Sequence, residues 1–245
     1  MIEAVFFDGD QTLWDFQTLM RRSLCATLTE LRSLRPGERT DSLTVDSLIA
    51  DRDAAAADLE GVAQSMEVIR VAAFRRTLSR VGLDEPGLAD HLARTYFERR
   101  FGDVLLYPDV LPTLTELAKS YRLGLLSNGN SYPERSGLAD VFDVVVFAQD
   151  HGYSKPDTRL YEVAARKTQL EGSSLAMVGD SVRNDVTGAQ CAGWLGLWLN
   201  RDDLPTPDGA RPDAILRTLT DAPAALAGLA GATTSTTTST RAPGP

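Results

Sequence analysis

Residues 3–13 read Glu-Ala-Val-Phe-Phe-Asp-Gly-Asp-Gln-Thr-Leu, an apolar run that breaks off abruptly at Asp8 and Asp10. A short, uninterrupted apolar stretch bounded by polar residues is the mark of a buried strand. The pattern recurs further along. Residues 122–126 form an apolar run ending in Ser127-Asn128-Gly129, residues 144–147 form another, 175–178 end in Gly179-Asp180, and 194–199 supply a fifth. Between them lie stretches with helical spacing at about 109–120, 157–170 and 183–192, with a last one at 221–230. Strands alternating with helices predict an α/β fold built on a parallel sheet.

The alternation is interrupted once. From about 16 to 105 the spacing is helical. Phe16, Leu19, Met20, Leu24, Leu28 and Leu31 share one face. Residues 34–42 read as a loop. In 53–81, Val62, Met66 and Ile69 fall on one face, and Val71, Phe74, Leu78 and Val81 on another. A further helix is expected over 86–101, opening at Pro86, a residue favoured in a first turn. The expected organisation is therefore a core of residues 1–15 and 106–230 with an all-helical insertion at 16–105. The end, 231–245, is Thr-, Ser-, Pro- and Gly-rich and is expected to be a disordered tail.

Composition narrows the function classes. The chain has 245 residues, 43% hydrophobic and 24% charged, and a net charge of −9. An acidic balance argues against a phosphate-driven nucleic-acid binder and against polybasic membrane association. No stretch is apolar enough to span a bilayer. The start has neither the charged nor the apolar region of a signal peptide, so a cytoplasmic location is expected. Two distant cysteines, Cys25 and Cys191, do not make a disulfide framework, and they read as small buried residues. Only three lysines occur, Lys119, Lys155 and Lys167.

In open parallel sheets, ligands bind beyond the carboxyl ends of the strands. There this sequence places Asp8, Asp10 and Thr12, then Ser127 and Asn128, then Asp180 with Asp185 a turn later; Lys155 opens a helix before Pro156. Four carboxylates brought together repel one another unless cations offset them. Lys155 is one cation, and Mg2+, which takes oxygen ligands and retains water and phosphate, is a second. A carboxylate can act as a nucleophile and a neighbouring one as general acid and base. Hydroxyl and amide groups near Ser127 suit phosphoryl oxygens, and the cations suit the charge of phosphoryl transfer.

Four ordered strings, FFDGDQTL (6–13), LLSNGN (125–130), SKPD (154–157) and VGDSVRNDVTGA (178–189), resemble the four motifs of the haloacid dehalogenase superfamily. The resemblance covers about residues 3–200. It implies a Rossmann-like core with a mobile cap, here the helical insertion, of the type placed directly after the first motif. It further implies Asp8 as nucleophile and Asp10 as general acid/base, with Asp8, the Asp10 carbonyl and Asp180 as Mg2+ ligands. Ser127, Asn128 and Lys155 would bind phosphate, supported by Thr12 and Asp185. Gln11 departs from the family, which most often has Gly there. The Asp at position 10 is usually lacking in dehalogenase members, so the expected activity is a Mg2+-dependent phosphatase acting on a small phosphorylated metabolite. The alternatives are a phosphomutase or haloacid dehalogenase on the same scaffold, or a non-catalytic phospho-signalling module. Oligomeric state is not readable.

Several residues have a plainer reading beside the functional one. Trp14 either stacks on a substrate or packs the chain where it leaves for the insertion, and packing is favoured. Arg21, Arg22 and Arg70 either read a second anionic group or form a solvated helix face. His91 and His151 have no partner at metal-ligand spacing. Trp194 and Trp198 read as core.

Overall fold

The computed structural model describes residues 1–59, 65–102 and 104–235. Six parallel strands form one sheet: β1 (Ala4–Phe7), β2 (Arg122–Ser127), β3 (Val144–Phe147), β4 (Leu175–Gly179), β5 (Leu195–Leu199) and β6 (Ala214–Leu216), in the order β3-β2-β1-β4-β5-β6. β1 is central, with Phe7 opposite Leu125 on one side and Val178 on the other. All four of its residues are buried, which is why it reads as an unbroken apolar run. The fold is thus the expected α/β, Rossmann-like parallel sheet. β6 was not expected. It has three residues, follows a proline-rich loop, and only Leu216 is buried.

Two compact units divide the chain. One consists of Met1–Trp14, Leu106–Asn128 and Leu138 onward; the other of Asp15–Leu105 and Gly129–Gly137. The sequence reading kept 129–137 in the core, whereas these nine residues cluster with the helices.

The helical unit contains α1 (Phe16–Leu34), α2 (Glu38–Asp41), α3 (Val45–Asp58), α4 (Met66–Arg80) and α5 (Leu88–Gly102). Asp15 caps α1 by accepting from the Thr18 N–H at 2.9 Å. Thr44 and Ser47 cap α3 reciprocally, both at 3.1 Å. A cap of this kind contributes about 1 kcal/mol. Leu24, Leu28, Leu31, Leu43, Phe74, Leu78, Leu92 and Tyr96 are buried against one another. The stretch 34–42 holds the short α2 rather than a plain loop, and 53–81 is two helices, not one. Val62 lies outside the described residues.

The sheet unit adds α6 (Val110–Leu117), α7 (Thr158–Thr168), α8 (Gly188–Cys191) and α9 (Ala222–Ser235). Phe6 packs on Trp194 at 5.1 Å between ring centroids, and Tyr161 meets Trp194 edge-on at 5.2 Å. Trp194 precedes β5 and Trp198 lies within it; both are buried. α9 runs on to Ser235, which corrects the expected start of the tail at 231; residues 236–245 lie outside the described part. Cys25 and Cys191 are exposed, not buried: each sits on the outer face of its helix. Among the described residues, no helix is long and apolar enough to cross a membrane.

Candidate active site

The in-register pairing of β1 with β2 and β4 decides where the polar ends arrive. Asp8 follows directly after β1, Ser127 ends β2, and Asp180 follows β4. The Asp8 N–H donates to the Val178 carbonyl at 2.9 Å, which extends the ladder one residue beyond the strand. Asp8, Asp180 and Asp185 each offer a carboxylate oxygen within 4.8 Å of the others.

Lys155 is the cation of this group and is 3% exposed. Its Nζ donates to Asp8 Oδ1 at 2.6 Å, to Asp185 Oδ1 at 2.6 Å and to the Leu126 carbonyl at 2.8 Å. An ammonium has three donors, and all three are used. Burial alone would lower its pKa, yet Asp185 and Asp8 hold it above the ordinary value. Its backbone is fixed as well. Asn128 Oδ1 accepts from the Lys155 N–H at 2.8 Å, while Asn128 Nδ2 donates to the Lys155 carbonyl at 3.0 Å. The Asn128 side chain, expected beside the phosphate, is therefore engaged at both ends by Lys155.

Asp185 comes from a π-helical turn, Val182–Thr187, ahead of α8. Such turns are rare and recur at functional sites. Its second oxygen, Oδ2, accepts from the Ser181 N–H at 3.0 Å. Gly179 is required for this approach, because a β-carbon there would overlap the Asp185 carboxyl group. Thr12, fully buried, accepts from the Asp180 N–H at 3.1 Å and so ties the first loop to the fourth strand's end.

Three carboxylates face one ammonium, and the electrostatics follow. Burial first, then Asp185, Asp10 and Asp180, push the Asp8 carboxyl well above its ordinary value against the pull of Lys155. Burial, then Asp185, raises Asp180 to about 6. The site is short of positive charge. Its donor set is all oxygen, which fits a hard divalent cation of the Mg2+ type rather than a soft metal.

Asp10 is held differently. Its Oδ1 accepts from Trp14 Nε1 at 2.7 Å, so Trp14 is both fully buried and bound to the second carboxylate of the motif. The Trp14 ring lies over Gly9, where a β-carbon would overlap it. Gln11, the departure from the family's Gly, has φ = 63°, in the region where Gly is least strained. Its N–H donates to the Trp14 carbonyl at 2.8 Å.

Support for this loop that the sequence did not reveal comes from Arg201. It donates to the Thr12 carbonyl at 3.1 Å while pairing with Asp109 at 2.7 and 3.0 Å. Trp198 Nε1 donates to the Asp180 carbonyl at 2.9 Å. Arg201 stands in a polar loop with no motif around it, so no sequence signal marked it. Of the remaining expectations, Arg21 pairs with Asp46 at 2.8 Å and Arg22 is exposed, the solvated-face reading in both cases. His91 faces Glu30 at 3.3 Å.

Residues 2–193 match the haloacid dehalogenase-like hydrolase family. The chain belongs to that family. This haloacid dehalogenase-like hydrolase is 29% identical over 204 residues to the 5-amino-6-(5-phospho-D-ribitylamino)uracil phosphatase YigB of Escherichia coli, covering 82% of this chain and 85% of the relative. It is 27% identical over 234 residues to the glyceraldehyde 3-phosphate phosphatase of Methanopyrus kandleri, covering 88% and 96%. Among solved structures it resembles a 2-haloacid dehalogenase from Pseudomonas syringae, with a TM-score of 0.78, 31% identity, and coverage of 94% and 100%. Sequence relatives and structural neighbours of this hydrolase therefore include both phosphatases and dehalogenases.

Proposed function

We propose that this hydrolase is a Mg2+-dependent phosphatase that acts on a small phosphorylated metabolite through an aspartyl-phosphate on Asp8. The observation that carries the reading is the buried Lys155 ammonium bridging Asp8 and Asp185, with Asp180 completing a carboxylate trio short of cations. Asp8, Asp180 and the Asp10 carbonyl would hold Mg2+, with Asp185 beside them; when bound, the ion neutralises charge on the transferring phosphoryl group.

Lys155 holds Asp8 Oδ1, which orients the carboxylate so that its other oxygen attacks phosphorus. The bond from phosphorus to the leaving oxygen breaks, and Asp10 gives that oxygen its proton. Asp10 then takes a proton from water, whose oxygen attacks the same phosphorus, freeing phosphate and restoring the Asp8 carboxylate. Trp14 fixes one oxygen of Asp10 during both transfers. Ser127 supplies a hydroxyl to the phosphoryl oxygens, and Asn128 acts through the Lys155 peptide that it grips. The helical unit takes the role of the cap that the family resemblance implies, which restricts substrates to small metabolites.

The similarity to a dehalogenase structure favours a second reading, halide displacement by the same Asp8. Asp10 speaks against it, since halide leaves without a proton and needs no general acid. Phosphate release from a panel of phosphorylated metabolites, with Mg2+ or chelator, tests the proposal. Release that requires Mg2+ and falls at least about 10⁴-fold in Asp8→Asn is expected. Halide release from 2-haloacids without phosphate release, by folded Mg2+-loaded protein, overturns it.

A further inference from the structure

Within the sheet unit, β5 runs into a loop, residues 200–204, whose shape is set by its own first residue. The Asn200 side chain accepts from the Leu204 N–H at 2.9 Å and donates to the Leu204 carbonyl at 2.8 Å. The Asn200 N–H donates to the Leu216 carbonyl of β6 at 2.8 Å. The next residue, Arg201, is anchored in turn. Its two Nη nitrogens pair with both oxygens of Asp109 at 2.7 and 3.0 Å, and its guanidinium carbon lies 4.2 Å from the Tyr107 ring centroid. Asp109 also accepts from the Leu219 N–H at 2.8 Å. Burial opposes it, but Arg201 and then that N–H hold the Asp109 carboxyl below its ordinary pKa, so the anchor is charged.

A planar guanidinium paired at two points has a fixed direction. Here the direction is toward the first loop, because Nη2 also donates to the Thr12 carbonyl at 3.1 Å. Thr12 is held a second time, its hydroxyl accepting from the Asp180 N–H at 3.1 Å. Trp198, on β5 itself, donates to the Asp180 carbonyl at 2.9 Å. One strand end thus grips both loops that supply the carboxylates: Trp198 holds the one after β4, and Arg201 the one after β1. Asp8 and Asp180, on those loops, offer oxygens within 4.8 Å of each other, a spacing that like charges oppose. Lys155 does not enforce it, since its three donors are spent on Asp8, Asp185 and the Leu126 carbonyl.

We propose that Arg201 is a positioning residue for the cation site. Anchored on Asp109, it holds the Thr12 peptide so that the first loop and Asp180 stand at ligand spacing before the ion arrives. The inference rests on the Mg2+ reading above and deepens it. Loops set in advance spare the ion the cost of ordering them. Partners one step removed from a metal's ligands commonly change its affinity by about 10- to 100-fold when lost. Arg201 bonds to Asp109 and Thr12 and stacks on Tyr107, none of them a reacting group, so it acts through the loop alone.

The test is a calorimetric titration of the full chain with MgCl2, in the wild type, Arg201→Met and Leu226→Ala. Leu226, fully buried in α9, provides a destabilised control outside both loops. The Mg2+ dissociation constant is expected to rise about tenfold in Arg201→Met and to stay within about twofold in Leu226→Ala. That contrast separates positioning from a general loss of stability. An unchanged constant in Arg201→Met, or an equal rise in both variants, overturns the inference and leaves the Mg2+ reading standing. No binding by folded wild-type protein overturns both. Should Arg201→Met fail to fold, Arg201→Lys keeps the charge without the fork that spans Asp109 and Thr12. Its constant is expected to rise at least about threefold, and an unchanged value there also overturns the inference.

Discussion

The two units bury charge in opposite ways. In the sheet unit, one ammonium, Lys155, faces the carboxylates of Asp8 and Asp185, with Asp180 near them, so the imbalance is negative. In the helical unit, Arg70 and Arg100 are buried against aromatic rings and neutral side chains, and among the described residues no carboxylate pairs with either. A fold selected for stability alone would pair these charges internally or replace them with apolar residues. The difference teaches that the two units offset the cost of a buried charge by different means: the sheet unit with the opposite charge, the helical unit with aromatic faces and neutral hydrogen-bond partners.

Removing the compensation in the sheet unit should have the largest effect on stability. Lys155→Met leaves Asp8 and Asp185 without their cation, and a loss of about 3–5 kcal/mol is expected in denaturant unfolding of the metal-free protein. A loss under about 1 kcal/mol would mean that the carboxylates are already neutral and that the charge contrast between the units is false.

The helical unit has its own paired charge for comparison. Asp51→Ala removes the acceptor of Thr77 and Arg80 and should cost about 2–3 kcal/mol. If Arg70→Met costs as much, the two arginines are structural in the same sense as Asp51.

The surplus of negative charge has a pH signature. The folded pKa of Asp180, about 6, lies above its ordinary 3.8. The contribution of this raised acid is therefore fully present below pH 3.8 and is lost as pH rises through 6. Metal-free Asp180→Asn should accordingly be more stable than the wild type at pH 8, by about 1–2 kcal/mol once solvent screening is allowed for, and should show no gain at pH 3.5. Adding Mg2+ should stabilise the wild type and not the variant. Equal pH profiles with and without the substitution would remove Asp180 from the cation site.

The smallest effect concerns the backbone. Among the described residues, every positive φ in the helical unit belongs to a glycine: Gly37, Gly82, Gly87 and Gly137. The sheet unit places Gln11, Gln169 and Asp203 there. Gln11→Gly should raise stability by about 1 kcal/mol, less what is lost with the Gln11–Tyr107 hydrogen bond of 3.4 Å. Destabilisation would show that the Gln11 side chain, and not its φ, shapes the loop between the two motif aspartates and Trp14.

Much of the sheet unit was legible before any coordinates, because burial on both faces writes each central strand as an unbroken apolar run that stops where the polar ends begin. β6 escaped because an edge strand of three residues buries only one of them. The helical unit was legible in its periodicity but not in its inventory. Residues 34–42 concealed a helix, and 129–137, distant in sequence, cluster with the helices. The two cysteines were misjudged because helical spacing alone does not say which face of α1 or α8 is covered.

By itself, the sequence determined the α/β class and a helical stretch after the first strand, and it marked Asp8, Asp10, Thr12, Ser127, Asn128, Lys155, Asp180 and Asp185 as candidates, since apolar runs and motif spacing are local properties of the chain. Only the tertiary structure decided how those groups are held. It set the three donors of Lys155, the grip of Asn128 on the Lys155 peptide, the bond from Trp14 to Asp10 and the brace from Arg201 to Thr12. It also decided that Arg70 and Arg100 are buried against aromatic rings, with no carboxylate paired to either among the described residues. These facts depend on which side chains meet across long separations, and burial and pairing of that kind exist only once the chain has folded.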